Sequence, residues 1–233
     1  MIILHENLPR EAEKVAAALK KVYGFPVELE SRNMDNWFIP LPKFNGFFYQ
    51  LTEAIETPLL QSPKNIQIIT SKDIFAQDKI KEDDWIFGYC NGNVTVSSTA
   101  RLKRNDNQPS EKLEVPEVLY FSRLENLSIH EVGHHVVKGK HFKPAEWVNA
   151  KTGHRLELGP HCDDNRCVMY EIVDIRAPKP EEGFMLLGKE RKFDAGMDDV
   201  LARMYPSFFC ERCKSCIEIP ESYFIKSIKS VGL

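Results

Sequence analysis

The sequence predicts an α+β (mixed α/β) fold, and three observations carry that reading. Short β-prone runs alternate with helical patterns early in the chain, two further β-prone runs flank Asn91-Gly92, and a long helical pattern then extends to Gly139. Strands interleaved with helices bury their apolar faces against one another as layers.

Taken in order, a β-prone Ile2-Ile3-Leu4 precedes PREAEKVAAALKKVYG at 9 to 24. Pro9 suits a first helical turn, where its missing N–H is no loss, and Gly24 suits the stop. Val15, Leu19 and Val22 share one face, leaving Lys14, Lys20 and Lys21 for solvent or the rim. PVELE at 26 to 30 resumes a β pattern; after an irregular stretch at 38 to 42, YQLTEAIET at 49 to 57 reads as a second helix. IQIITSKDIF at 66 to 75 opens as a buried strand. In WIFGYCNGNVTVSSTARL at 85 to 102, Asn91-Gly92 marks a tight hairpin. A polar connection at 104 to 115 leads into a helix over 120 to 139, and the remainder is irregular and rich in Pro, Gly and Cys.

Composition narrows the function classes. The chain has 233 residues, is 42% hydrophobic and carries a formal net charge of −3, so no overall basic field recruits nucleic acid or an anionic membrane surface. No apolar run is long enough to span a bilayer, and the N-terminus lacks the apolar core of a signal peptide. A cytoplasmic protein is expected. Five of the six cysteines (Cys162, Cys167, Cys210, Cys213, Cys216) lie in the last third and only Cys90 stands apart, a clustering that suggests metal before disulfide.

Within the long helix the chain reads His130-Glu131-Val132-Gly133-His134. Residues four apart on a helix differ by only ~40° around the axis, so His130 and His134 present their imidazoles on one side, one turn apart, as two ligands of one zinc ion would stand. Ile129, Val132 and Val136 keep the main apolar stripe away from that side. Glu131 projects beside it, placed to take a proton from a water as general base. A catalytic zinc needs a third protein ligand and an open position. The downstream histidines are His135, His141, His154 and His161. His135 points about 100° from His134 and reads as a rim residue; His154 reads as a surface loop residue. His141, just past Gly139, and His161, in a cysteine-rich context, remain the candidates.

That context is GPHCDDNRCVMY at 159 to 170, followed by FFCERCKSC at 208 to 216. Cys162, Cys167, Cys210 and Cys213 make a plausible four-thiolate tetrahedral zinc site. The alternative, a redox pair, is disfavoured by the further Cys216 and by the absence of a thioredoxin-like strand and turn. Trp147 is expected to hold a loop down rather than to line a cleft.

In these motifs the chain resembles the archaemetzincin family of zinc metalloproteases, marked by HExxH, a glycine, a third histidine followed at once by cysteine, then C-x4-C-x-M and a distant CxxC. His130, Glu131 and His134 match the first part; His161, Cys162, Cys167, Met169, Cys210 and Cys213 match the second in order and local spacing. The likeness reaches upstream to YQLTEAI, IQIITSKDIF and GNVTVSSTARL, where the family has its helix, central strand and edge strand. It implies a metzincin-like single catalytic domain over 1–233: an upper lobe (1–138) with a twisted mixed sheet and the HExxH helix, and an irregular, zinc-stabilised lower lobe (139–233) in which Met169 forms the Met-turn beneath the catalytic zinc.

Three departures accompany the resemblance. His134 and His161 enclose 26 residues where the family has five. Val137 stands where the family has its bend glycine, which predicts a helix running on to Gly139. Met169 and Cys210 enclose 40 residues, more than the family usually shows. An insertion at a turn costs little, since loop closure grows only logarithmically with length.

The expectation is therefore a zinc-dependent metallopeptidase, a hydrolase with two zinc ions per chain. His130, His134 and His161 would hold the catalytic ion, Glu131 would act as general base, and Cys162, Cys167, Cys210 and Cys213 would hold the structural ion, leaving Cys90 and Cys216 as thiols. Pairing of Cys213 with Cys216 is the runner-up arrangement. A peptide or protein substrate would lie along an edge strand, for which NVTVSS at 93 to 98 is the best candidate. The alternative is a catalytically impaired, zinc-stabilised module that binds peptide or protein. A nucleic-acid-binding zinc ribbon is disfavoured by the charge.

Overall fold

The computed structural model describes residues 1–43, 46–75, 85–104, 108–148, 155–164, 166–170, 185–186, 189–190 and 208–224. Its centre is a five-stranded sheet. Strand β1 (Ile2–His5) leads into helix α1 (Pro9–Tyr23), which Gly24 ends in the left-handed region at φ 75° while its N–H bonds to the Lys20 carbonyl. Then come β2 (Glu28–Ser31), β3 (Phe38–Lys43), β4 (Gly46–Leu51), α2 (Glu53–Leu60), β5 (Ile66–Thr70), β6 (Ile74–Phe75), β7 (Trp85–Ile86), β8 (Gly88–Asn91) and β9 (Val94–Ser98). The main sheet runs β2-β1-β5-β9-β8, parallel except for β8, and β3-β4-β6-β7 form a second sheet.

Period-2 alternation divides the main sheet into two faces. Ile2, Leu4, Ile66, Ile68, Val94 and Val96 enter a core with Trp37, Phe38 and Leu59. Ile3 and Ile69 point the other way, into the core that α1 shares with α3 (Glu117–Val136). Four fully or nearly fully buried residues of α3, Leu124, Leu127, Ile129 and Val132, fix that helix. At roughly 1.5–3 kcal/mol per buried aliphatic side chain, this anchoring makes the helix a rigid mount for whatever its free face carries.

Three expectations change. Residues 49–51 close strand β4 and do not start a helix; α2 begins only after Thr52, because Phe38 to Lys43 provides a partner strand for Gly46 to Leu51. Strand β9 is not an edge: it lies between β5 and β8, and the main-sheet edge beside it is β8. Helix α3 stops at Val136 rather than Gly139. Val137 is extended (φ −94°, ψ 107°), so the chain breaks out of the helix without needing a positive φ. Ile217 pairs with Val137 as an isolated bridge, while Lys138 N–H bonds to Cys216 O and Glu218 N–H to Val136 O, so the C-terminal segment satisfies the groups that the helix end leaves free.

Beyond α3 the segment that separates the last two motif histidines contains an antiparallel pair, β10 (Lys143–Val148) and β11 (Arg155–His161). Two-stranded β12 (Met185–Leu186) and β13 (Lys189–Glu190), the short helix α4 (Glu211–Lys214) and a 3-10 turn (Glu221–Phe224) complete the regular elements described. No helix is long and apolar enough to cross a membrane among the described residues. His154 and the side chain of Trp147 lie outside the described residues.

Candidate metal centres and cleft

Two donor clusters stand at either end of one peptide bond, His161–Cys162. The first contains His130, His134 and His161, whose ring nitrogens all lie within 4.8 Å of one another. His134 Nε2 is 3.1 Å and His161 Nε2 3.3 Å from His130 Nε2. Helix α3 supplies the first two from adjacent turns; the end of β11 supplies the third. The opposite nitrogens are committed elsewhere: His130 Nδ1 is 2.6 Å from Val168 O and His161 Nδ1 is 3.1 Å from Gly159 O. A carbonyl only accepts, so both Nδ1 atoms donate and both Nε2 atoms turn lone pairs toward one point.

Lone pairs facing each other at such distances repel unless a cation stands between them. With Zn–N bonds of about 2.05 Å, ligands of a tetrahedral ion stand ~3.3 Å apart, which is the spacing seen. Burial pushes His130 down to about 4 and His134 well below the ordinary imidazole range, so these rings are neutral at neutral pH, the form a metal requires. The donor set therefore fits zinc.

Glu131 is buried beside the trio at the floor of a cleft of about 510 Å³. Burial alone pushes its carboxyl up to about 8. A cation at the histidines would draw it back down, since an opposite charge favours the ionised form. Edge strand β8 forms one wall of this cleft with Gly88, Tyr89 and Cys90, and Glu157, Gly159 and Pro160 of β11 form another. A Cβ at Gly88 would sit 2.6 Å from both Glu131 Oε1 and Val96 O, so only glycine lets the edge strand pass this close to the carboxylate.

Met169 is fully buried with its sulfur against Gly133, which lies between His130 and His134 in the helix; a Cβ there would lie only 2.2 Å from Met169 Sδ. Tyr170 N–H bonds to Cys167 O, and Cys162 N–H to Met169 O, so 167 to 170 form a turn tied to the cysteine segment. His135 is not a free rim residue: Nδ1 lies 2.9 Å from the Tyr223 hydroxyl, joining α3 to the C-terminal turn Glu221–Phe224.

The second cluster gathers Cys162, Cys210, Cys213 and His141, again within 4.8 Å of one another. Cys162 Sγ stands 3.8 Å from Cys210 Sγ, and His141 Nε2 3.2 Å from Cys213 Sγ. Cys167 joins them: its thiol hydrogen-bonds to Cys162 and its sulfur accepts the Cys210 N–H at 3.4 Å. Hydrogen bonds from Cys167 and Cys213 hold Cys162 far below the ordinary thiol value, and the same contacts push Cys167 up to about 12 and Cys213 higher. One thiolate makes each further ionisation costlier, so several adjacent thiolates need a cation, and this donor set too fits zinc. Cys90 and Cys216 stand outside the cluster, and no disulfide forms among the described residues.

No family model matches the sequence, and no curated protein matches it. Solved structures do. The chain superposes on archaemetzincin from Methanopyrus kandleri over 92% of its own length and 91% of that chain, at 19% identity and a TM-score of 0.51. The chain has the archaemetzincin fold. A zinc-dependent peptidase from Methanocorpusculum labreanum aligns over 92% of this chain and 98% of that one, at 16% identity and a TM-score of 0.51. The mixed sheets and helices of the described residues are what that likeness of fold covers.

Sequence reasoning sent His141 to a possible return toward the histidines, but the structure takes it to Cys213. Val168, whose carbonyl orients His130, and Gly88, which clears space for Glu131, carried no signal by type or spacing.

Proposed function

We propose that the protein is a zinc-dependent metallopeptidase in which His130, His134 and His161 hold the catalytic ion. The observation that carries this reading is the convergence of three imidazole nitrogens at tetrahedral spacing beside a buried carboxylate in an open cleft. Bound zinc would polarise the scissile carbonyl and acidify a water. Glu131 takes the proton from that water and delivers it to the leaving amine. Val168 O and Gly159 O fix the orientation of the ligand rings. Met169, packed against Gly133, supports the histidine platform from below as a Met-turn. The extended substrate pairs with β8, whose antiparallel edge borders the cleft, in place of the NVTVSS segment now seen to be internal.

The buried cysteine cluster would hold a second, structural zinc, giving two ions per chain. The reading keeps one upper lobe to residue 138 and one lower lobe from 139 within a single catalytic domain.

The test is digestion of a mixed peptide library by the zinc-loaded chain and by Glu131→Gln. New termini should appear with the wild type and fall by about 10²–10⁴-fold in the variant while zinc content stays the same. A chain that binds peptides without cutting any of them would instead be the zinc-stabilised binding module.

A further inference from the structure

We propose that His141 supplies the fourth ligand of the thiol-cluster metal, making a three-thiolate, one-imidazole centre of His141, Cys162, Cys210 and Cys213. Cys167 stays a thiol outside the coordination sphere.

Five donors meet here, and a tetrahedral zinc takes four. The mutually close set includes His141. With Zn–S bonds of about 2.3 Å and Zn–N bonds of about 2.05 Å, two sulfurs on one ion stand ~3.8 Å apart and a nitrogen and a sulfur ~3.5 Å. The Cys162–Cys210 separation is 3.8 Å and the His141–Cys213 separation 3.2 Å, close to both edges. Cys167 is not a member of that mutually close set; its sulfur accepts the Cys210 N–H at 3.4 Å from beside it. An imidazole in place of a fourth thiolate also leaves the buried site one negative charge lower, which reduces its desolvation cost.

The chain delivers His141 by design of its local turn. After α3 ends at Val136, Phe142 N–H bonds to Gly139 O, and the Phe142 ring lies where a Cβ on residue 139 would come within 2.5 Å. That turn points His141 back toward α4. One residue later β10 begins, pairing Lys143 with His161, and the Lys143 ammonium reaches Asp163, which also pairs with Arg212. The root of the inserted hairpin is thus pinned at the cysteine cluster, while the last residues of its second strand line the cleft. The insertion that separates the motif histidines is, on this assignment, metal-anchored at its base.

The inference rests on the cysteine cluster being a zinc centre and is independent of peptidase activity. It is tested on the full chain with cobalt(II) in place of zinc. The histidine trio contains no sulfur, so sulfur-to-cobalt charge-transfer absorption reports only on the cysteine cluster. Cys167→Ser should leave that absorption unchanged, Cys210→Ser should remove about a third of it, and His141→Ala should weaken retention of this cobalt at least tenfold against a chelator. Loss of about a quarter of the absorption in Cys167→Ser, with His141→Ala unaltered, would overturn the assignment in favour of four thiolates. Absence of any such band in the wild type would defeat the zinc reading of the cluster itself. Should a variant fail to fold, the imidazole ¹⁵N spectrum of the zinc-loaded wild type decides: a metal-shifted His141 Nε2 supports the proposal, and a protonated or free Nε2 overturns it.

Discussion

The two donor clusters are built by opposite means. The histidine cluster draws two ligands from adjacent turns of a single, deeply packed helix and imports only His161, so most of its geometry is fixed by backbone hydrogen bonds before any metal arrives. The cysteine cluster draws its donors from the 139–142 turn, the end of β11 and the start of α4, segments with little regular structure of their own. On the proposed assignments, the first would be a site placed on a scaffold and the second a scaffold made by a site. His161 and Cys162 are consecutive, so on these assignments a metal at the cysteine cluster would help to position the third histidine together with the pairing of β11.

This asymmetry is broken most forcefully at Cys213. Apparent zinc-binding free energies of roughly 10–16 kcal/mol in small structural sites rival the whole stability of a domain, about 5–15 kcal/mol. Cys213→Ser is therefore expected to lose the structural ion, to loosen the 139–224 region and to cost the catalytic ion as well, seen as zinc content falling by more than one ion per chain together with a lowered unfolding temperature. Retention of a full histidine-held ion in that variant would show that His161 is placed by β11 alone.

A subtler change sharpens the other half of the comparison. Gly88→Ala puts a methyl group 2.6 Å from Glu131 Oε1 and from Val96 O, and overpacking of this kind costs about 1–3 kcal/mol. Since no ligand moves, zinc content should hold while kcat/KM falls by roughly 10–100-fold, the effect of misplacing a catalytic group by a fraction of an ångström. An unchanged kcat/KM would mean that β8 yields without disturbing Glu131. The smallest effect is expected at Cys216, half-buried and outside the cluster: Cys216→Ser should leave zinc content intact and alter stability by no more than about 0.5 kcal/mol. Loss of zinc there would restore the alternative pairing of Cys213 with Cys216.

The same contrast explains what the sequence disclosed. Period-2 and period-3.6 patterns are local, so β1, α1, β5, the hairpin of β8 and β9, and α3 with its histidine pair were legible, as was the mixed α/β class. Elements set by distant partners were not. Residues 49–51 look helical until Phe38 to Lys43 is seen to pair with them. The resemblance places NVTVSS at an edge, yet it pairs with β5 on one side and β8 on the other, and Gln67 Nε2 donates to Ser97 Oγ at 2.8 Å between β5 and β9. The end of α3 at Val136 depends on residues 216 to 218 arriving to take its carbonyl and amide groups, 80 positions downstream, which no local stop signal encodes. His141 illustrates the point most sharply. Its place just past Gly139 makes it a candidate that the expectation sets aside for His161, but nothing local gives its destination, which a turn closed by Gly139 and Phe142 sets at Cys213.

The most direct test of two separate centres, one catalytic and one structural, is to count zinc and measure peptide cleavage together in His161→Ala. The account predicts a fall from two ions to one, a preserved thiolate-held metal and fold, and loss of cleavage. Two retained ions with cleavage intact would contradict it.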